Sequence, residues 1–186
     1  MIEPIFQEMD KKMNKAVEAL RGELASIRTG RASPALLDSI KVNCYGSSVP
    51  LQQVAGISTP ELRLLLIQPW DKTLIPEIEK AILRNSELGL TPTNDGKVIR
   101  LPIPSLTEER RKDLVKVVKK LTEDAKVAIR NVRREANEAI KKLEHEKKIS
   151  EDESKKAHEQ TQKVTDKHIG EIEEILKKKE KEIMEV

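Results

Sequence analysis

The chain is poor in aromatic side chains and in cysteine, and each shortage argues against a class of protein. Its 186 residues include one Phe, one Tyr, one Trp and one Cys. So few rings argue against a ligand cavity walled by aromatics and against single-strand nucleic-acid binding by base stacking. A single cysteine cannot form an intramolecular disulfide, which fits a reducing compartment. Most small-molecule enzymes and base-stacking nucleic-acid readers are therefore disfavoured.

Long apolar runs are also missing. The longest runs from Leu64 to Ile67, which is far short of the roughly 20 residues that a membrane helix needs. Residues 1–6 contain no basic segment followed by an apolar stretch, so no secretory or organellar presequence is expected. We therefore expect a cytoplasmic protein that does not enter a membrane.

Charged residues are abundant but unevenly distributed. Lys and Arg together number 35, and Asp and Glu number 32. The net charge of +3 is too small to indicate by itself that the protein binds a charged partner such as a nucleic acid. Residues 31–105 hold eight of the nine prolines, yet only 15 of these 75 residues are charged. In the remaining 111 residues 52 are charged. This contrast predicts two domains: a helical domain made of residues 1–30 and 105–186, and a smaller domain, residues 31–104, inserted into it.

The highly charged segments carry three helical patterns. Apolar residues recur every three or four positions in each of them, and each pattern predicts one stripe on a long helix. The first two stripes end at Ile27 and Leu143, and a break near Lys148 precedes the third. Two capping-box patterns, Ser105 to Glu108 and Ser150 to Glu153, predict where the second and third helices begin. Helices with half of their residues charged are not stable alone, so the three stripes should pack together as a bundle. The stripes are Ile2, Phe6, Met9, Met13, Ala16, Leu20, Leu24 and Ile27; Leu114, Val118, Leu121, Ala125, Ala128, Val132, Ala136, Ala139 and Leu143; and Ala157, Thr161, Val164, Ile172, Ile175 and Ile183.

The inserted segment has the signals of a small β-rich domain with one helix. Alternating apolar residues predict strands near 40–44, 49–51, 54–58, 62–68 and 98–101, with Leu62, Leu64 and Leu66 on one face. Asp71 is a possible cap for a helix over residues 72–85. Residues 93–96, Thr-Asn-Asp-Gly, predict a turn. The predicted fold class is therefore α+β, with a long three-helix bundle and an inserted β/α/β domain.

The sequence contains no recognisable catalytic constellation. Gly96-Lys97 lacks the other residues of a phosphate-binding loop. The three histidines, His145, His158 and His168, are not at metal-ligand spacing. His168 is in register with the third apolar stripe, so a packed histidine is favoured over a proton-transfer role. We predict no catalytic residue, no metal and no cofactor.

One charge cluster stands apart from the rest. Lys126, Arg130, Arg133 and Arg134 occur in a segment of the second helix, residues 125–134, that has no acid. At about 100° per residue they fall on a sector opposite the core position Val132. Arginine suits bidentate phosphate recognition, so we predict an RNA-binding face that grips the backbone rather than stacked bases. The alternative is an ordinary solvated helix face.

A second basic segment lies where the chain leaves the bundle. Arg28, Thr29, Gly30 and Arg31 end the first helix, and Pro102, Pro104 and Ser105 precede the second. Two chain crossings at these places would permit hinge motion, so these seven residues are predicted hinge residues. Gly30 also has a simple explanation as a helix C-terminal stop, and the two arginines as favourable charges at the negative end of the helix dipole.

Three blocks of sequence resemble the bacterial ribosome recycling factor family: residues 27–34 (IRTGRASP), 106–114 (LTEERRKDL) and 127–137 (VAIRNVRREAN). The likeness extends over essentially the whole chain, in the same order. It implies an L-shaped arrangement of a three-helix bundle and a β/α/β domain. It also implies that the factor binds the post-termination ribosome and, with elongation factor G and GTP, separates the subunits and frees mRNA and deacylated tRNA. In the family the bundle lies against large-subunit ribosomal RNA, with basic positions similar to Arg130 and Arg133, and the hinge faces the GTPase. We expect a monomer.

Two other classes of function stay open at this point. The chain could be a helical-bundle adaptor whose partner is another protein, with its arginines only solvated. The inserted domain could also contain an enzyme site that no motif reveals.

Overall fold

The computed structural model describes residues 1–86 and 88–185, which form five α-helices and six β-strands. Two short 3₁₀ turns, Pro34–Leu37 and Lys72–Leu74, accompany them. In chain order the elements are α1 (Glu3–Ala25), β1 (Lys41–Cys44), β2 (Ser47–Pro50), α2 (Leu51–Val54), β3 (Ala55–Glu61), β4 (Leu64–Pro69), α3 (Ile75–Arg84), β5 (Thr93–Asn94), β6 (Ile99–Pro102), α4 (Glu108–His145) and α5 (Glu151–Met184).

The chain divides into two compact units. The first contains residues 1–24 and 113–181, and the second contains residues 25–112 and 182–186. The composition boundaries at 30/31 and 104/105 differ from this division. Residues 25–30 and 105–112 belong to the second unit, and so does the C-terminal end of the chain. The chain therefore passes between the units at three places instead of the two that were predicted.

The first unit is a bundle of α1, α4 and α5. Helix α1 buries Met9, Met13, Val17, Leu20 and Leu24, at spacings of three and four residues that place them on one face. Val17 lies inside, although the predicted stripe contained Ala16 instead. The helix ends at Ala25, so the prediction that it continues to Gly30 as a C-terminal stop is wrong. Gly30 also lacks the positive φ that such a stop requires.

Helix α4 packs on two neighbours, so its buried arc is wider than one stripe. The buried positions include Thr122, Ile129 and Ile140, whereas the predicted Leu121, Ala125, Ala128, Val132, Ala139 and Leu143 are only half-buried. The stripe is therefore displaced by one residue along much of the helix. Helix α5 buries an unusually polar stripe, Ser154, Ala157, Thr161, Thr165, His168 and Ile172. Short hydroxyl side chains carry a weak hydrophobic signal, so the sequence pattern revealed only part of this stripe.

Hydroxyl and carboxylate caps fix the helix starts. The Ser150 box forms as predicted: Ser150 N donates to Glu153 Oε2 at 2.8 Å, and Glu153 N donates to Ser150 Oγ at 3.2 Å. These bonds from Ser150 hold the pKa of the Glu153 carboxyl below its ordinary value of 4.5. At the start of α4 the cap is Thr107, whose Oγ1 accepts from Arg110 N at 3.2 Å. Ser105 was the wrong choice because α4 begins three residues after it, at Glu108.

The second unit encloses its own core beneath two antiparallel sheets. Strands β1 and β2 form a hairpin, and a four-stranded sheet has the order β3-β4-β6-β5. Leu65 and Ile67 of β4 and Ile99 and Leu101 of β6 are fully buried, together with Ile78 of α3. Leu64 and Leu66 share one face of β4, as predicted, but Leu62 lies outside the strand, and the buried face is that of Leu65 and Ile67. Leu62 is 59% exposed, in the turn before β4.

Local polar side chains shape the turns of this unit. Asp71 Oδ1 accepts from Thr73 N at 2.9 Å, so the predicted cap is confirmed, although it opens a 3₁₀ turn before α3. Asp95 Oδ1 accepts from Lys97 N and Val98 N, and with Arg100 these bonds hold the pKa of Asp95 far below its ordinary value. Thr93 and Asn94, predicted as part of a turn, pair with β6 as the short edge strand β5. The helical turn α2 replaces the end of the strand predicted near 49–51.

Candidate RNA-binding face and hinge segments

Lys126 lies in the seam between α4 and α5. Its Nζ is 3.3 Å from Glu173 Oε1, and only 16% of its side chain is exposed. A second pair, Lys119 Nζ with Glu180 Oε1 at 3.6 Å, continues the same seam. Lys126, which follows Lys119 in α4, pairs with the glutamate that comes earlier in α5. The two helices therefore run antiparallel. Lys126 therefore holds the two helices together through its ion pair.

The three arginines of the cluster differ in whether a neighbouring side chain binds them. Arg130 pairs with Glu123 of its own helix, with 3.1 Å between Nη1 and Oε1. Arg133 donates from Nη1 to Gln162 Oε1 of α5 at 3.0 Å. Arg134 is exposed, as is Lys141 two turns further on. Arg134 therefore has the greatest freedom to meet a partner.

Two premises of the sequence prediction need correction. The cluster is not locally unpaired, because Lys126 and Arg130 both have carboxylate partners. It is also not centred opposite the core, because Lys126 and Arg133 flank the seam with α5 and are half-buried. The error arose from assuming one buried stripe on α4, whereas a helix in a three-helix bundle faces two neighbours. No local signal could identify Gln162 as a partner, because it lies 29 residues from Arg133.

Side-chain hydrogen bonds extend this seam toward the end of α4. Asn137 Oδ1 accepts from Thr161 Oγ1 at 2.9 Å and lies 2.7 Å from His158 Nδ1.

His168 is buried, and its Nε2 lies 3.0 Å from Asp10 Oδ1 of α1. The interpretation of His168 as a packed histidine agrees with this position. The bundle interior thus fixes its helices by directed polar contacts as well as by apolar packing.

The first predicted hinge segment is irregular and bonded within the second unit. Residues 26–33 contain no helix or strand. Thr29 is 2% exposed; its Oγ1 donates to Glu182 Oε1 at 3.1 Å and accepts from Arg31 N at 3.2 Å. Arg31 Nη2 lies 3.2 Å from Glu185 Oε2. The last turn of α5 and Glu185, which follows it, therefore hold this segment. These contacts span more than 150 residues, and the sequence did not reveal them. Arg28, next to Thr29, is half-buried.

Both hinge segments join the same β3–β4 turn. Ala32 N donates to Leu62 O at 2.7 Å, and Ile103 N donates to Arg63 O at 2.8 Å. Pro102 still pairs with β4, whereas Pro104 and Ser105 are exposed and irregular. A cavity of about 480 Å³ opens beside this turn within the second unit. Its lining residues are Gly30, Arg31, Leu62, Arg63, Ser105, Leu106, Arg111, Glu182, Ile183 and Glu185.

The residues that the structure describes contain neither a helix suited to a membrane nor a cluster of metal-ligand side chains. No helix there has both the length and the apolar composition that a membrane crossing needs. Nowhere in residues 1–86 and 88–185 do three His, Cys, Asp or Glu side chains gather as metal ligands would.

Known proteins resemble the chain along its whole length. Residues 20–184 match the family profile described as "Ribosome recycling factor". The ribosome-recycling factor of Syntrophomonas wolfei is 58% identical over 186 residues, which is all of both chains. A solution structure of the ribosome recycling factor has a TM-score of 0.81 and 53% identity, covering 100% of this chain and 98% of the other. A structure modelling the T. thermophilus ribosome recycling factor and E. coli elongation factor G on the E. coli post-termination complex has a TM-score of 0.72 and 47% identity, with complete coverage of both chains. A profile match across most of the chain and identity above one half over its full length lead to one conclusion: this chain belongs to the ribosome recycling factor family.

Proposed function

We propose that this protein binds the post-termination ribosome in the cytoplasm and, with elongation factor G and GTP, separates the subunits, which frees mRNA and deacylated tRNA. The full-length likeness to ribosome-recycling factors carries the proposal. It is supported by the related T. thermophilus factor, which is placed together with elongation factor G on a post-termination complex. In this proposal the protein performs no bond chemistry of its own. The GTPase supplies the free energy, and the bundle acts as a lever.

A subunit-splitting assay tests this function directly. Post-termination ribosomes are mixed with the protein, elongation factor G and GTP, and the loss of 70S particles is followed by light scattering. We expect rapid splitting with all three components and little when any one of them is left out. Splitting at the same rate without the protein would refute the proposal.

We further propose that Arg130, Arg133 and Arg134 bind phosphates of large-subunit ribosomal RNA. Lys126, the fourth predicted residue of the cluster, supports them through its ion pair with Glu173 and does not itself contact a phosphate. Arginine presents paired donors to phosphate oxygens, and a backbone-directed grip needs no stacked rings. Arg134 is already exposed, whereas Arg130 and Arg133 have partners, Glu123 and Gln162, that are themselves on the surface. Both can therefore exchange a surface partner for a phosphate.

Ribosome affinity of Arg133→Ala, compared with Lys178→Ala, tests the arginine face. Lys178 is an exposed cation on α5, outside the cluster, so it controls for the loss of one positive charge. We expect Arg133→Ala to bind at least ten times more weakly and Lys178→Ala to bind nearly as the wild type. Equal affinities of the two variants would rule out the assignment.

We propose, finally, that Arg28, Thr29, Gly30 and Arg31, with Pro102, Pro104 and Ser105, form the hinge. Irregular backbone absorbs changes in φ and ψ more readily than a helix or strand does, and most of these residues lie in irregular segments. Thr29 and Arg31 are held by hydrogen bonds within the second unit. Gly30, between these two residues, has no side chain, so its dihedral angles are the least restricted in this segment.

A further inference from the structure

The second unit carries the longest uncharged stretch of the chain. Residues 42–60, nineteen in a row, contain no Asp, Glu, Lys or Arg, in a chain of which 36% is charged. Many of them are neutral polar residues that lie exposed: Asn43, Ser47, Ser48, Gln52, Gln53, Ser58 and Thr59. Nucleic-acid backbones are bound mainly through Lys and Arg. This surface is therefore unsuited to phosphate and needs a different kind of partner.

Two of the three aromatic side chains of the protein are exposed at this surface. Tyr45 is 80% exposed in the turn between β1 and β2, and Trp70 is 71% exposed immediately after β4. Tyr45 Oη donates to Asp71 Oδ2 at 2.6 Å, so the phenol is held by the residue next to Trp70. We call Tyr45 and Trp70 the aromatic tip. Their exposure is unexpected, because side chains of this size usually bury most of their surface.

Tyr45 occupies a backbone conformation that it disfavours. Its φ is 48°, and the following Gly46 has φ 85°. Two-residue hairpin turns with positive φ at both positions prefer Asn-Gly or Asp-Gly, because a large side chain is strained there. The hydrogen bond to Asp71 holds the ring in place despite this strain. An exposed side chain kept under strain points to a function for its ring.

Trp70 is fixed by the backbone beneath it. Its Cη2 and Cζ2 atoms lie 3.4 and 3.9 Å from the place where a Cβ atom on Gly56 would stand. Trp70 N also donates to Val54 O at 3.0 Å. The indole therefore lies over β3, where a glycine leaves room for it, while most of its surface faces solvent. Both rings are held before any partner arrives, which lowers the entropy lost on binding.

The Asp71 carboxylate already accepts hydrogen bonds from other residues of the protein. Its Oδ1 accepts from Thr73 N and Thr73 Oγ1, at 2.9 and 2.7 Å, while its Oδ2 accepts from Tyr45. These three bonds hold the pKa of Asp71 below its ordinary value, so the group is a carboxylate at neutral pH. A carboxylate fixed by Tyr45 and next to Trp70 in the chain would repel a phosphate. It is compatible with an uncharged surface packed around it.

We propose that the aromatic tip is a docking site for a protein whose contacting surface is uncharged and presents an apolar side chain to the two rings. Exposed Tyr and Trp, together with the exposed Ser and Asn side chains of residues 42–60, form a composition typical of surfaces that recognise proteins. Trp and Tyr are also the residues that most often dominate the energy of such interfaces. The inference rests on the proposed function in one respect: the partner is a protein component of the post-termination complex.

Photo-crosslinking identifies the partner. Trp70→p-benzoylphenylalanine places a photoreactive ring in the aromatic tip, and Val127→p-benzoylphenylalanine, at an exposed position of α4, is the matched control. Each variant is bound to purified post-termination ribosomes with elongation factor G and a non-hydrolysable GTP analogue, then irradiated. We expect the adduct at position 70 to contain protein and the adduct at position 127 to contain ribosomal RNA.

Several outcomes would overturn the proposal. An adduct at position 70 confined to RNA would mean that the rings stack on a base instead. The absence of an adduct from a variant that still cosediments with ribosomes would refute docking while leaving the proposed function intact. Failure of the wild-type chain to cosediment would refute the proposed function and this inference together.

Tyr45→Asn supplies a second test that does not depend on loss of folding. Asparagine followed by Gly46 is the preferred pair for this turn, so we expect an unchanged or higher melting temperature. We also expect at least a fivefold lower yield of the protein adduct through position 70, whereas Tyr45→Phe, which keeps the ring and loses only its bond to Asp71, should give a yield between those of Tyr45→Asn and the wild type. An unchanged yield in Tyr45→Asn would contradict the proposal.

Discussion

Replacing Arg134 and Lys126 one at a time by glutamine separates binding from folding within the basic cluster. Each phosphate contact contributes about 0.8 to the slope of log affinity against log salt, so three arginine contacts contribute about 2.4. Affinity should then fall about 30-fold when salt rises from about 50 to 200 mM. Arg134 is exposed. Arg134→Gln should therefore lower the slope by about 0.8 and weaken binding about tenfold at low salt.

Lys126→Gln should behave in the opposite way. Its side chain is 16% exposed and paired with Glu173, so its loss should lower stability by about 1 kcal/mol and the melting temperature by about 3 °C. The salt slope should stay within experimental error. Cosedimentation with ribosomes at four salt concentrations measures the slope, and circular dichroism measures the melting temperature. A reduced slope for Lys126→Gln with an unchanged slope for Arg134→Gln would refute this division of roles.

Three further predictions concern the bundle core, a helix cap and the hinge. Met13 is fully buried, so Met13→Ala should cost about 2–5 kcal/mol in urea unfolding; a loss below about 1 kcal/mol would contradict the packing of α1. Because the pKa of Glu153 is lowered in the folded state, its stabilising effect is complete above about pH 4.5 and is lost as the pH falls through that lowered value. Glu153→Gln should therefore lose less melting temperature than the wild type between pH 7 and pH 3, whereas the exposed mid-helix control Glu159→Gln should follow the wild type; equal losses in all three would argue against the cap. Gly30→Pro should leave the far-ultraviolet circular dichroism of the bundle intact and slow subunit splitting, and a normal splitting rate would count against hinge control.

Sequence reasoning succeeded where the determining interactions are local. The Ser150–Glu153 box and the Asp71 cap depend on residues two or three positions apart, and both form as predicted. Composition likewise separated a helical region from a strand-rich one. The start of α4 was misplaced because two hydroxyl residues, Ser105 and Thr107, compete for the cap, and only the path of the preceding chain decides between them.

Predictions that depended on long-range packing were less accurate. The sequence did not show which face of β4 is buried, because Leu64, Leu65, Leu66 and Ile67 form a continuous apolar run in which alternation does not distinguish the two faces. The candidate RNA-binding residues were found from their types, but their partners on α5 were not. Glu182 and Glu185 belong with the hinge segment only because the fold returns the C-terminus to it.

The polar seam between α4 and α5 connects packing to the proposed function. Apolar side chains such as those of α1 can slide along a neighbour at moderate cost, whereas a hydrogen bond between helices is lost when one helix shifts by a turn. Such a shift would separate Thr161 from Asn137, at about 1 kcal/mol for the lost hydrogen bond. It would also remove Gln162 from Arg133. The polar stripe of α5 therefore fixes the register between α5 and α4, and with it the positions of the α4 arginines. Helix α5, whose sequence has only a weak hydrophobic pattern, is thus necessary for placing the RNA-binding face.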